Sequence, residues 1–216
     1  MRLIGDIHGN YLQYQHIAAS YDGPTVQIGD FGMGFPGREA RDETIMRWMT
    51  DNPQHRFIRG NHDNPAACRK APGWIKDGSI EGDIMFLGGA WSIDNPQAPP
   101  GWYRRTPEYD WWAEEECSDE QFEAMLEAYK QAKPRVLITH DCPASISYEM
   151  FWISGILKGP VYRNRTSAWL QRFYEAHQPE FHFFGHWHYT RTLQHSRTRF
   201  MCLGELDYID IDLSDL

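Results

Sequence analysis

The chain has 216 residues, 41% hydrophobic and 24% charged, which fits a single domain spanning residues 1–216 with a real core and excludes general disorder. Its 21 basic and 30 acidic residues leave a net charge of −9, which disfavours gripping duplex DNA or an anionic membrane through a basic face. Phosphate chemistry stays open, because a local cation or arginine cluster overrides a distant field.

In chain order, residues 2–4 form a short strand ending at Gly5, and residues 10 to about 21 read as a helix capped by Asn10. Residues 25–28 are a second strand, stopped by Gly29-Asp30. A helix over about 39–50 and a third strand over 56–58 follow, an order that predicts βαβ units and a parallel sheet. Residues 84–87 and 90–93 read as strands flanking Gly88-Gly89. A proline- and aromatic-rich stretch over about 94–117 is too long for an ordinary connection and reads as a functional loop or cap. Ser118 and Gln121 form a capping-box pattern opening a helix to Ala132. A strand over 135–139 precedes a second aromatic loop, about 147–165, and then a helix over 167–177. Residues 181–184 form another apolar strand, and the alternation over 191–213 predicts antiparallel strands. No apolar run approaches the ~20 residues of a membrane helix. The opening MRLIGDIHGN lacks the apolar stretch of a signal peptide. The scattered cysteines Cys68, Cys117, Cys142 and Cys202 form no CxxC pair and fit a reducing compartment, so the expected location is the cytoplasm.

The polar residues that stand out follow strands. Asp6 and His8 follow the first, Asp30 the second, and Asn61, His62 and Asp63 the third. His140 and Asp141 follow the fourth, and His186 and His188 the fifth. Ligands of open α/β sheets bind at carboxyl strand ends, and residues two apart in extended chain face one side. His with Asp suits borderline divalent ions such as Mn, Fe, Co, Ni or Zn. Two carboxylates, one amide and four imidazoles are too many for one ion and about right for two sharing a carboxylate. Two such ions outweigh two carboxylates and a hydroxide, leaving net positive charge for an anionic phosphate.

These residues fall in five blocks: GDIHGN (5–10), IGD (28–30), GNHD (60–63), THDCP (139–143) and GHWH (185–188). In this order they resemble the signature of the calcineurin-like metallophosphoesterases. The resemblance implies an α/β, four-layer sandwich of two mixed sheets flanked by helices, here with an aromatic loop cap. It implies one metal on Asp6, His8, Asp30 and His188 and a second on Asp30, Asn61, His140 and His186, with Asp30 bridging. A metal-bridging hydroxide would be the nucleophile and His62 the general acid. Asp63 and Asp141 would orient His62 or a ligating imidazole. Mn is the expected metal, with Fe, Ni, Co and Zn as alternatives.

One block departs from the family's protein Ser/Thr phosphatases. Their GD-x-x-D-R-G reads GDFGMGF here, so Met33 and Gly34 stand where an Asp and a phosphate-binding Arg would. Arg38 or Arg59 is the candidate replacement for substrate binding, although Arg59 could equally turn into the flank of the sheet. The stretch from Gly88 to Glu116 resembles small bacterial and phage metallophosphatases of unassigned substrate. His16, His55, His177, His182 and His195 read as ordinary surface or core histidines.

The aromatic residues Trp102, Tyr103, Tyr109, Trp111, Trp112, Tyr148, Phe151, Trp152 and Tyr162 read either as a satellite core under a cap or as a stacking wall for a nucleobase or aryl group. Beside them, Arg104, Arg105, Arg163 and Arg165 are a solvated rim or extra phosphate grips. The expected activity is hydrolysis of small-molecule or nucleotide phosphate esters, as a phosphatase with some diesterase activity. A single-strand nuclease, a protein Ser/Thr phosphatase and a non-catalytic scaffold are the alternatives.

Overall fold

The computed structural model describes residues 1–158 and 164–212. Strands β1 (Arg2–Ile4), β2 (Thr25–Ile28), β3 (His55–Ile58), β4 (Ile80–Glu81), β5 (Ile84–Leu87), β6 (Val136–Thr139), β7 (Phe181–Phe184), β8 (Arg191–His195), β9 (Thr198–Cys202) and β10 (Tyr208–Asp210) build two sheets. One runs β10-β1-β2-β3 and the other β4-β5-β6-β7-β9-β8. Each sheet is parallel inside and antiparallel at its rim, where β10 pairs with β1, β4 with β5 and β8 with β9.

Side-chain alternation along the inner strands explains the layering. Leu3, Val26, Ile28 and Ile58 of the first sheet meet Ile84, Phe86, Val136, Ile138 and Phe183 of the second in a dry core between the sheets. The alternate residues face outwards. Ile4 and Phe57 pack under α1 (Tyr11–Ala19) and α2 (Glu39–Asp51) with Tyr14, Ile17 and Ile45. Met85, Leu87 and Leu137 pack under α4 (Asp119–Ala132) and α6 (Arg165–Ala176) with Phe122, Leu126 and Phe173. Fully burying each such side chain contributes roughly 1.5–3 kcal/mol. The layers are therefore helix, sheet, sheet, helix, as the resemblance implies, and the carboxyl ends of β1, β2 and β3 meet those of β6 and β7 along one edge.

The predicted elements hold with small shifts of boundary. Asn10 caps α1, accepting from Gln13 N, and Ser118 closes a capping box with Gln121. One element is corrected: residues 90–93 form no strand. Gly89, at φ +85°, turns the chain off the sheet, and Gly89 N donates to Arg59 O at 2.7 Å. The chain thereby carries Ser92 towards the site instead of extending β5. Two short helices escaped the sequence reading, α3 (Pro65–Cys68) and α5 (Ala144–Ser147). Asn64 and Pro65 are an ordinary cap and first-turn pair for α3.

The two aromatic segments divide between both readings. Trp112 is buried against Phe35, with ring centroids 5.3 Å apart, whereas Trp102, Tyr103 and Tyr109 are exposed. In the second segment a six-residue π-helical stretch, Tyr148–Ile153, buries Phe151, which stacks on Trp187 at 4.7 Å. Tyr162 and Arg163 lie outside the described residues, as do residue 213 and those beyond. No helix among the described residues is long and apolar enough to cross a membrane.

Candidate metal centre

Five strand ends converge as the sequence predicts, but not through extended backbone. His8, Asp30, His186 and His188 have φ of 45°, 55°, 68° and 57°, in the left-handed region that costs a non-glycine residue roughly 1–2 kcal/mol. The spacing of two therefore works through tight left-handed turns at the strand ends, not through the pleat of a strand. Four strained turns around one point mark a site held by its surroundings.

Asp6, His8, Asp30 and His188 each offer a donor atom, and these atoms lie within 4.8 Å of one another. His8 Nε2 and His188 Nε2 are 3.1 Å apart, and His188 Nε2 is 3.3 Å from Asp6 Oδ2. A second group of donors adjoins them through Asp30. His140 Nε2 lies 3.2 Å from Asp30 Oδ1 and 3.1 Å from Asn61 Oδ1, and His186 Nδ1 lies 2.9 Å from Asn61 Oδ1. Asp30 thus touches both groups, with Oδ2 3.9 Å from His8 Nε2.

The donor chemistry fits cations. His140 Nδ1 is 2.9 Å from Ile28 O. A carbonyl can only accept, so Nδ1 carries the proton and Nε2 turns its lone pair to the cluster, the orientation a ligating imidazole needs. Burial works against a charged His140 ring, yet the carboxylates of Asp30 and Asp6 outweigh it and raise it to about 10. The cluster thus favours positive charge at this ring, which a cation held at Nε2 would supply in place of a second proton. His186 goes the other way, lowered to about 3 by burial and then by neighbouring His140, and so stays a neutral donor. Asp30 is held well below the usual carboxylate range: burial opposes this, and His140 and His62 overcome it.

Two glycines make the approach possible. A methyl on Gly60 would lie 2.1 Å from both Asp30 N and Asp30 Oδ1, and one on Gly185 would lie 2.2 Å from Asp6 Oδ1. Gly60→Ala is therefore expected to lower stability by about 2 kcal/mol, within the range for overpacking, and to weaken metal binding as Asp30 is displaced. Thermal melts with and without added Mn check both; a variant with the wild-type melting temperature and metal response contradicts this packing.

His62 stands beside the cluster. Its backbone N–H donates to Asp30 Oδ1 at 2.6 Å, and its ring lies edge-on to His8 with centroids 5.4 Å apart. Burial lowers its pKa, against the pull of Asp30. No hydrogen bond engages its ring nitrogens among the described residues.

Three sequence expectations are corrected here. Asp63 braces no imidazole: its carboxylate accepts backbone N–H groups from Phe31, Gly32, Met33 and Gly60 at 2.6–3.0 Å. It clamps the loops after β2 and β3 together and so places Asp30 and Asn61, an indirect role that does not touch a substrate. Met33, standing where the phosphatases have Asp, is buried under α1 and α2. Arg59 does not face a substrate. It is buried, paired with Asp77 at 2.8 Å, and spends its remaining donors on Glu114 O, Glu115 O and Cys117 Sγ. Arg105 is neither a solvated rim nor a phosphate grip: it is buried against Glu115 at 2.8 Å and Asp94 at 3.0 Å. Asp141 accepts from Cys142 N and Trp187 Nε1, fixing the indole between His186 and His188. Arg38 stays exposed at the N-terminus of α2.

The sequence reading missed two groups. Glu205 lies 3.1 Å from His188 Nδ1 and 3.6 Å from His8 Nε2. Ser92 accepts from Asn61 Nδ2 at 2.9 Å, and Arg105 donates to Ser92 Oγ and to Asn61 O. Glu205 follows a strand end like the candidate donors do, which was its available signal; Ser92 left none.

Comparison with known proteins follows this geometry. The profile of the calcineurin-like phosphoesterases matches residues 2–190. Among solved structures, protein TT1561 of Thermus thermophilus superposes with a TM-score of 0.55 at 10% identity, over 95% of this chain and 89% of that one. The phosphopantetheinyl hydrolase of Mycobacterium tuberculosis superposes with a TM-score of 0.53 at 17% identity, over 94% and 89%. At these identities the likeness is one of fold. No curated protein matches. With a family profile covering most of its length and the donor set gathered at its strand ends, the chain belongs to the calcineurin-like phosphoesterases.

Proposed function

We propose that this phosphoesterase is a binuclear metal-dependent hydrolase of small-molecule or nucleotide phosphate esters. The observation that carries the reading is Asp30, whose two oxygens face two adjoining sets of donors. Asp6, His8, Asp30 and His188 would hold one divalent ion and Asp30, Asn61, His140 and His186 the other, with Mn suited to this mix of imidazole, carboxylate and amide. Such ions supply Lewis acidity and a nucleophilic hydroxide near neutral pH.

The chain's own residues do the rest. Asp63 and the four left-handed turns fix the donors. Glu205 and Asp6 orient His188, and Arg105 and Ser92 orient Asn61. His62, at the cluster's rim and with no hydrogen bond to its ring nitrogens among the described residues, gives a proton to the departing oxygen. The four cysteines are buried and unpaired, which supports the reducing, cytoplasmic setting.

His62→Ala tests the acid. Its turnover on phenyl phosphate, a poor leaving group, should fall about a hundredfold, with a smaller loss on p-nitrophenyl phosphate and with metal content unchanged. Equal losses on both substrates, or loss of metal, would overturn the assignment of His62.

A further inference from the structure

The first turn of α2 carries two arginines against ordinary electrostatics. Arg38 is its N-cap and Arg41 sits three residues later, where the positive end of the helix dipole disfavours cations. The two lie side by side: a methyl on Gly9 would be 2.9 Å from Arg41 Nη2 and 3.6 Å from Arg38 Nη1. Arg41 also donates to Gly9 O.

The acidic residues of the same turn do not neutralise them. Glu39 accepts from Gly37 N, and buried Asp42 accepts from Tyr11 Oη and Gly34 N. Instead each guanidinium lies over an aromatic ring at 5.3 Å, Arg38 over Phe35 and Arg41 over Tyr11. Among the described residues neither arginine has a carboxylate partner, in a chain of net charge −9. Like charges placed together at the wrong end of a helix, without counter-ions, break a local rule, and such breaks occur where function compensates.

Their position suggests the function. Gly9, which both guanidiniums adjoin, follows His8 directly in the chain, with neighbouring Cα atoms about 3.8 Å apart. From there a groove of about 480 Å³ continues between α1 and α2, past Tyr11, Leu12 and Thr44.

We propose that Arg38 and Arg41 form an anion subsite for a second phosphoryl group, so that the preferred substrates are phosphate esters carrying a further phosphate, as in a nucleoside diphosphate. The inference rests on the phosphoesterase reading and adds the substrate class. A guanidinium pair matches phosphate oxygens through paired, charge-assisted hydrogen bonds, and a lone monoester leaves it unused.

The test separates binding from turnover on Mn-loaded protein. Calorimetry compares methylenediphosphonate with methylphosphonate, both resistant to hydrolysis. The wild type should prefer the diphosphonate. Arg38→Gln should cut that preference about tenfold, Arg38→Lys should keep only the part due to charge and so fall between wild type and Arg38→Gln, and Arg41→Gln should repeat the loss at the neighbouring position. In turnover, kcat/KM for adenosine diphosphate relative to p-nitrophenyl phosphate should fall by a similar factor in Arg38→Gln, through KM. An unchanged diphosphonate preference, or an equal loss for both phosphonates, overturns the subsite. If neither ester is hydrolysed while the preference exists and falls in Arg38→Gln, the subsite stands and the hydrolase reading fails.

Discussion

Asp30→Asn is expected to reduce phosphoesterase turnover on the order of a thousandfold, equivalent to about 4 kcal/mol, and to lower the metal bound per chain. The substitution is isosteric, so the effect comes from one atom and one charge. Asp30 Oδ1 accepts the His62 N–H at 2.6 Å. An amide nitrogen there would set donor against donor, so the amide must place its oxygen at Oδ1 and its NH2 at the Oδ2 position. Oδ2 faces His8 at 3.9 Å, on the side of the Asp6, His8 and His188 donors. That set loses a ligand and gains a group that repels cations. The other set keeps its oxygen contact but loses the negative charge that attracts an ion. Metal analysis by mass spectrometry, with turnover under saturating Mn, checks both parts. A variant that retains wild-type metal content contradicts the sharing of Asp30 between two donor sets.

The donors were legible in the sequence because each follows an apolar strand, and a parallel sheet brings successive carboxyl ends to one edge. Asp6, His8, Asp30, Asn61, His140, His186 and His188 could be named without coordinates for that reason. Their backbone was not legible. The spacing of two in D-x-H and H-x-H fits extended chain equally well, and only the structure shows the left-handed φ of His8, His186 and His188. Arginine roles were the hardest to read, since a guanidinium at the end of a long stem reaches in any direction. Arg59 adjoins Gly60 and Asn61 in sequence yet points into a buried pair with Asp77, while Arg38, which belongs to none of the five motif blocks, stands open beside Gly9. The strand expected over residues 90–93 failed because Gly89, at φ +85°, had already turned the chain away from β5.

Arg105→Met is the second large effect and concerns the fold beneath the cluster. Arg105 and Glu115 are 4% and 2% exposed, and two hydrogen bonds of 2.8 and 3.0 Å join them. Further donors of Arg105 reach Asn61 O and Asp110 O, and its Nε pairs with Asp94. Removing the guanidinium leaves Glu115 buried without its counter-ion, and breaking a buried pair in this way costs about 3–5 kcal/mol. The loss should depend on pH in a fixed direction. Burial already pushes the Glu115 carboxyl up to about 8, against the pull of Arg105, and without Arg105 the carboxyl rises further. A carboxyl whose folded pKa exceeds its unfolded value binds more protons in the folded state, so its contribution to stability falls as pH rises. Denaturation of Arg105→Met should therefore show a level deficit below about pH 7, where Glu115 is protonated in both folded proteins, and a deficit that grows from about pH 8 upwards, where the wild type ionises Glu115 beside its cation and the variant cannot. Adding Glu115→Gln removes the buried charge and should recover part of the loss and flatten the pH dependence. A deficit independent of pH, or no recovery in the double variant, would mean that Arg105 acts mainly by holding the carbonyls of Asn61 and Asp110. Reduced metal affinity alongside that pH-independent deficit would then be the signature, because Asn61 would have lost its support.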